Sequence, residues 1–311
     1  MPVSRRNTAT KTPLFSQHMP GGPWGYADIM RHAGDIFFVQ STHASAVDDS
    51  GHGRTPEDPF ATLSYAAGRC TANQNDVIYL MPGHVELITG TPDLTMTIAG
   101  VKVFGCGWGT IQPIIRFTTA IGAELNVDAA NIVFENINFQ AGFADLTAPI
   151  DVNALNCTIR KCRFTEQTAA LNALIWIQLP ADGSAAGLTL EDNYVYAPDT
   201  TNTHWVNFAD TGSMHRVKRN VLIGDWGTVA IGGAGVILGC DISDNWIYNL
   251  AAVSNDCIAL DPTATGVVAN NLVGNSQGAA DQIDCDGCVM SENYGVDLGA
   301  DRQGILEPVS A

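Results

Sequence analysis

One short phrase recurs along this chain, and it restricts the fold more than any other feature. The segments NIVFENINF (131–139), NCTIRKCRF (156–164), GLTLEDNYV (187–195), HRVKRNVLI (215–223), CDISDNWIY (240–248), GVVANNLVG (266–274) and CVMSENYGV (288–296) share one grammar. Each is a short alternating strand, a charged or polar residue, an asparagine slot and a second strand residue. Asn136, Asn193, Asn220, Asn245, Asn271 and Asn293 occupy the slot, with Cys162 filling the gap, at spacings of 22 to 31 residues. Upstream, VKVFGCGWG (101–109) puts Gly105 there, and DVIYLMPG (76–83) opens the series. A second strand series runs between these, through AELNVDA (123–129), PIDVNAL (149–155), LIWIQLP (174–180), HWVNFAD (204–210), TVAIGGA (228–234), CIALDPT (257–263) and QIDCDG (282–287). A fixed period of this length marks a stack of similar units, each burying its apolar face against the next.

Two strand series that keep step fit a coil that returns to the same position every ~25 residues. Each coil then pairs with the next through parallel ladders about 4.8 Å apart, so about nine coils make a column of roughly 43 Å. The expected fold is all-β, a single-stranded right-handed parallel β-helix. An inward asparagine at a sharp corner bonds backbone groups of its own and adjacent coils, giving an amide ladder. The position before the slot reads Glu135, Lys161, Asp192, Arg219, Asp244, Asn270, Glu292, with signs alternating over the first five. Outward neighbours on successive coils are then opposite charges, each pair stabilising by about 0.2–1 kcal/mol.

The expected organisation is an extended arm over 1–34, a lead-in strand, loop and capping helix over 35–75, the β-helix over 76–298 and a tail over 299–311. In the lead-in, PFATLSYAAGRC places Phe60, Leu63, Ala67 and Cys70 near helical spacing. Such a helix covers the open end of the first coil, which otherwise exposes core and unpaired backbone.

Charge is unevenly spread. The arm carries Arg5, Arg6, Lys11 and Arg31 against Asp28, a balance of +3, which leaves −20 of the net −17 on the rest. A basic arm on an acidic body is expected to dock on something acidic. The same body repels phosphate, so nucleic acid is not an expected partner. No run of 18 apolar residues suggests a membrane helix, and the N-terminus lacks the apolar core of a secretory signal. The eight cysteines sit mostly among apolar strand residues and read as reduced, buried thiols. Cys285 and Cys288 form one CxxC, weak evidence for zinc without a second pair.

The stretch FFVQSTHASAVDDSGHGRTPEDPFATLSYAAGRC…NDVIYLMPGHVE, followed by these coils, resembles the entry of pectate-lyase-like parallel β-helix proteins, and most of all those encoded by tailed bacteriophages. The resemblance covers roughly residues 35–298. It implies a superfamily of polysaccharide lyases and hydrolases, tailspikes and non-catalytic capsid decoration proteins. Its hydrolases show NTD, DD, GHG and RIK motifs in that order. Here Gly51-His52-Gly53 precedes every coil, and Arg216-Val217-Lys218 lacks its partners, so both read as coincidence.

Glycosidic cleavage needs a carboxylate pair or a metal–carboxylate cluster with a basic proton abstractor. The better candidate is an outward row on the second strand series, Asn126, Asp128, Asp151, Asn153, Trp176, Gln178 and Asn207. Within it, Asp128, Asp151, Trp176 and Gln178 would form a glycan strip, but no Lys, Arg or His joins them. Asp261, Asp281, Asp284 and Asp286 are a second acidic cluster and a calcium candidate, and His84, His204 and His215 read as turn or interface residues. No catalytic residue, metal or cofactor is therefore assigned. The expected protein is a non-catalytic capsid decoration (cement) protein of a tailed phage, made in the host cytoplasm and displayed on the capsid surface. It would assemble as a homotrimer, with Trp176, Trp205 and Trp226 as candidate interface residues, and dock through the arm on the major capsid protein. The alternative is a tailspike or receptor-binding protein that binds or cleaves host polysaccharide, although such proteins usually add a head-binding domain and a C-terminal trimerisation region.

Overall fold

The computed structural model describes residues 34–297, except 91–92, 181–182, 210, 252–254 and 276–281, together with 305–306. The arm residues Arg5, Arg6, Lys11 and Arg31, the tail apart from 305–306, and Asp281 lie outside the described residues.

The short apolar runs pair in parallel, each with the equivalent run one coil later, and wind into three long sheets rather than the two strand series read from sequence, with Gly212–Ser213 and Ile237–Leu238 pairing separately. The recurring phrase itself contains two strands with a corner between them. In the third coil, Val133–Glu135 lies in the first sheet, Asn138–Ala141 in the second and Ile150–Val152 in the third. Eight coils contribute a strand to every sheet, from Val77–Leu80 to Ile283–Asp284. A ninth supplies only Val289–Ser291 and Asn293–Asp297, on which Ile305–Leu306 closes antiparallel. The fold is a parallel β-helix.

A core of apolar side chains runs the length of the interior. Phe134, Phe139, Phe164, Trp176, Trp205 and Trp226 are fully buried, and Phe164 meets both Trp176 and Trp205 edge-on, with centroids 5.6 and 5.8 Å away. The three tryptophans expected at a subunit interface are therefore core. A backbone irregularity explains the reversal. The N–H groups of Trp205 and Val206 both bond the carbonyl of Ala230, a local bulge that breaks the in–out alternation. Trp205 and Val206 are consequently both buried, as are their counterparts Trp176 and Ile177. Trp226 fills the corner under Gly224, where an added Cβ would lie 2.5 Å from the indole.

The corner between the first and second sheets depends on a left-handed residue. Asn136, Lys161, Asp192, Arg219, Asp244, Asn270 and Glu292 all have φ between 52 and 59°, a conformation that costs a non-glycine residue roughly 1–2 kcal/mol. The next residue then points inward. Asn193, Asn220, Asn245, Asn271 and Asn293 are each at most 2% exposed there. Each Asn amide nitrogen donates to a carbonyl of the preceding coil, as from Asn220 to Leu190 at 2.9 Å. Each Asn Oδ1 accepts the slot residue's backbone N–H one coil back. The distances are 2.9 Å from Cys162 to Asn193 and 3.0 Å from Asn193 to Asn220, Asn220 to Asn245, Asn245 to Asn271 and Asn271 to Asn293.

Asn136 does not belong to this ladder. The register pairs Glu135 with Arg160 and Asn138 with Arg163. Asn136 is therefore the left-handed residue, Ile137 fills the slot, and the sequence reading was one residue out in this coil. The Asn136 amide instead donates to the carbonyls of Gly105 and Gly107, at 2.7 and 2.8 Å.

Glu135 accordingly heads a strand row, Glu135–Arg160–Glu191–Lys218, beside the left-handed row Lys161–Asp192–Arg219–Asp244. Both alternate in sign. Glu135 takes Lys102, Arg160 and Lys161 at 2.7 to 3.0 Å, and Arg219 takes Asp192 at 2.8 Å. Burial opposes ionisation of Glu135, but hydrogen bonds from Arg160, Lys102 and Lys161 outweigh it and hold the carboxyl down to about 2.

At the N-terminal end, a helix, α1 (Leu63–Arg69), covers the first coil with Leu63, Ala66 and Ala67. Thr62 caps it by accepting the Tyr65 N–H, and Glu86 of coil one accepts the Leu63 N–H at 3.0 Å. Buried His84 links the same groups, accepting from the Ser41 N–H and meeting Glu86 at 3.0 Å.

Truncating Asn220 to Ala removes the acceptor of the buried Asn193 backbone N–H and the donor to the Leu190 carbonyl, and each buried group left unsatisfied costs about 1–3 kcal/mol. Asn220→Ala is expected to unfold about 2–4 kcal/mol more easily by denaturant titration. A loss under about 0.5 kcal/mol would show the ladder to be incidental.

Candidate functional site

The outer faces of the three sheets carry different chemistry. On the first, the charge rows described above are spent on ion pairs between coils. Arg216-Val217-Lys218 is a strand of this sheet (Arg216–Lys218), with Lys218 paired to Asp241 of the next coil. The Gly51-His52-Gly53 triplet is likewise architectural. His52 bonds Asp49 at 2.6 Å, and Gly53, at φ +80°, leaves no room for a Cβ beside the Phe60 ring.

The third sheet carries the proposed glycan strip. Its register stacks Asn126, Asp151, Gln178 and Asn207 outward on four successive coils, with Asp128 and Asn153 two residues farther along their strands. Trp176 is absent from this face because it points inward. The Asn153 amide donates to Asp128 at 3.1 Å and Asp151 at 3.3 Å, and Asn207 donates to Gln178 at 3.0 Å. Beside them, burial raises the pKa of Glu124, and repulsion from Asp151 adds to the rise. The structure thus assembles Asp128 and Asp151 side by side and bridges them with an amide. Among the described residues none of their polar partners in this row is a cation.

The other candidates disperse. Asp261 caps its own turn, accepting from the Thr263 N–H at 2.8 Å. Among the described residues no three His, Cys, Asp or Glu side chains converge as a metal site. All eight cysteines are free thiols, seven of them buried. Burial pushes His204 and His215 down to about 4. His215 is 1% exposed against the Phe208 ring.

One cluster escaped the sequence reading. At the corner between the second and third sheets, Glu166 accepts the Asn202 amide at 2.8 Å and the Asp199 N–H at 3.2 Å. Thr201 joins Asp145, Asn172 and Asp199 at 2.7 to 3.0 Å. Burial pushes Glu166 up to about 7; the Asn202 hydrogen bond opposes this, and the nearby Asp199 charge adds to it. Asp225, on the next coil, is raised by burial and by Asp199. These residues come from turns of unequal length on four coils, so no spacing announces them. They form a group of acids, amides and hydroxyls whose proton uptake the fold favours.

No family model and no curated protein matches the chain. Solved structures that align with it include two very different proteins. One is a rhamnogalacturonan lyase, 12% identical, covering 88% of this chain and 90% of its own, with a TM-score of 0.43. The other is a tailspike protein of Escherichia coli bacteriophage HK620 in complex with a pentasaccharide. It is 14% identical over 76% of this chain, which spans about half (48%) of the tailspike, with a TM-score of 0.36. These likenesses concern the fold alone.

A carboxyl whose folded pKa lies above its unfolded value contributes most below the unfolded value, and that contribution is lost as pH rises through the folded one. For Glu166 the window runs from 4.5 to about 7. Glu166→Gln is therefore expected to gain melting temperature relative to the parent between pH 5 and pH 8. A difference that stays constant across that range would contradict the placement of Glu166.

Proposed function

We propose that the chain is a non-catalytic structural protein of a virion, a capsid decoration protein of a tailed bacteriophage that assembles as a homotrimer. The observation that carries this reading is where the outward polar groups go. On the first sheet the charges pair from coil to coil, and on the third the acids pair with amides. Glycosidic cleavage asks for an acid and a base held apart with access to substrate, or for a cation to neutralise charge developing at the scissile bond. Asp128 and Asp151 instead share the Asn153 amide. A column tied along its length in this way suits a structural role. The basic arm, with Arg5, Arg6, Lys11 and Arg31, would hold the acidic body to the major capsid protein.

A polysaccharide-binding or polysaccharide-cleaving tailspike is the second reading. It is favoured by exposed aromatic side chains on the second sheet, among them Trp246 and Tyr196, since such rings also stack on sugars.

Quantitative mass spectrometry of purified particles separates the two. Decoration predicts hundreds of copies, on the scale of the major capsid protein, and loss of particle binding when Arg5, Arg6, Lys11 and Arg31 are all replaced by Ala. A few copies in multiples of three, with polysaccharide turnover that Asp151→Ala or Asp128→Ala abolishes, would contradict it.

A further inference from the structure

The outer face of the second sheet differs from the other two. The parallel register places one outward row from Val85 to Tyr294 and another from Leu87 to Gly274. No position in either row is acidic, in a chain with 32 aspartates and glutamates. Over coils two to four the rows are mostly polar, with Arg116 and Arg163 as their only charges. From coil five onward they turn aromatic and aliphatic, with Tyr194, Tyr196, Trp246, Tyr248, Leu272 and Tyr294. Trp246 is 54% exposed, Tyr294 48% and Tyr196 46%. Where the two halves meet, the Arg163 guanidinium lies 5.0 Å from the Tyr194 ring centre.

We propose that this face is where copies of the chain meet one another, with the aromatic coils five to nine at the centre of the contact. The inference rests on the reading of the protein as a self-assembling column and says which side of the column assembles. Charge selects the occupant. Copies carrying a net charge of −17 repel. Contact through the third sheet would set Asp128 and Asp151 against their equals, and contact through the first would compete with its ion pairs. Only the second sheet brings two acidic bodies together without opposing carboxylates. Its composition fits as well, since interface centres are rich in Tyr and Trp and poor in Asp and Glu. Nine strands of about four residues give a patch of about 500 Å² before side-chain relief is counted. That is the same order as one side of a standard interface, about 800 Å².

Light scattering coupled to size exclusion tests the proposal on the full chain. The parent should elute at three chain masses. Trp246→Glu combined with Tyr196→Glu should elute at one, with an unchanged circular dichroism spectrum. Val289→Glu, on the outer face of the first sheet and 65% exposed, should remain trimeric. Hydroxyl-radical footprinting of the parent needs no variant. It should find Trp246 and Tyr196 protected while Trp108, 84% exposed, is labelled. A trimer that survives the double substitution, or Trp246 labelled as readily as Trp108, overturns the assignment of this face but leaves the trimeric structural reading standing. A parent that is monomeric both free and on particles overturns the two together. Protection of Trp246 that appears only on adding host-surface polysaccharide overturns the proposal in favour of a sugar-stacking platform.

Discussion

Every coil must turn a sharp corner between the first and second sheets, and the corner leaves backbone groups inside that no strand can satisfy. Buried amide and carbonyl groups without partners cost about as much as a lost hydrogen bond each. The inward asparagines meet this demand, because one side chain presents both a donor and an acceptor. Each takes the N–H of the slot residue one coil back and returns one amide hydrogen to a carbonyl of that coil; from Asn193 to Asn271 the other goes forward to the Asn Oδ1 of the next coil. The left-handed residue before each slot is the strained component, tolerated because the ladder fixes the corner around it. Where the ladder ends, at Cys162, the next slot back is the apolar Ile137. Asn136 then satisfies Gly105 and Gly107 from the turn itself.

With the interior settled, the outer faces are free to differ. The first sheet joins its coils through alternating charges, the third presents acids bridged by amides, and the second gives up charge for aromatic rings. Parallel stacking makes this sorting persistent, since a residue's outward neighbours are its counterparts on the adjacent coils. One column therefore offers three surfaces of distinct chemistry, and the account of self-assembly uses this separation.

Much of this was legible in the sequence, because a stacked repeat writes its register along the chain. The asparagine series located the corner, and the helical spacing around Leu63 located the cap. What failed, failed for local reasons. Asn136 looked like a ladder residue because asparagine also tolerates the left-handed conformation, so the same letter serves two adjacent positions. Trp176 and Trp205 looked outward because alternation was counted through a bulge that the letters do not mark. The second sheet was hidden inside the recurring phrase, its first residue two positions beyond the corner. The acid cluster around Glu166 was invisible because its members, from Asp145 to Asn202, sit in turns of irregular length. Only stacking brings them together.

The central claim is that side-chain amides replace strand pairing at the corners, so native-state hydrogen exchange tests it most directly. The backbone N–H groups of Cys162, Asn193, Asn220, Asn245 and Asn271 lie outside strands, yet each donates to an inward Asn Oδ1. The account predicts that they exchange as slowly as neighbouring strand amides such as those of Leu190 and Val217, through global unfolding alone. Exchange as fast as at exposed Ser50 in the lead-in loop would contradict it.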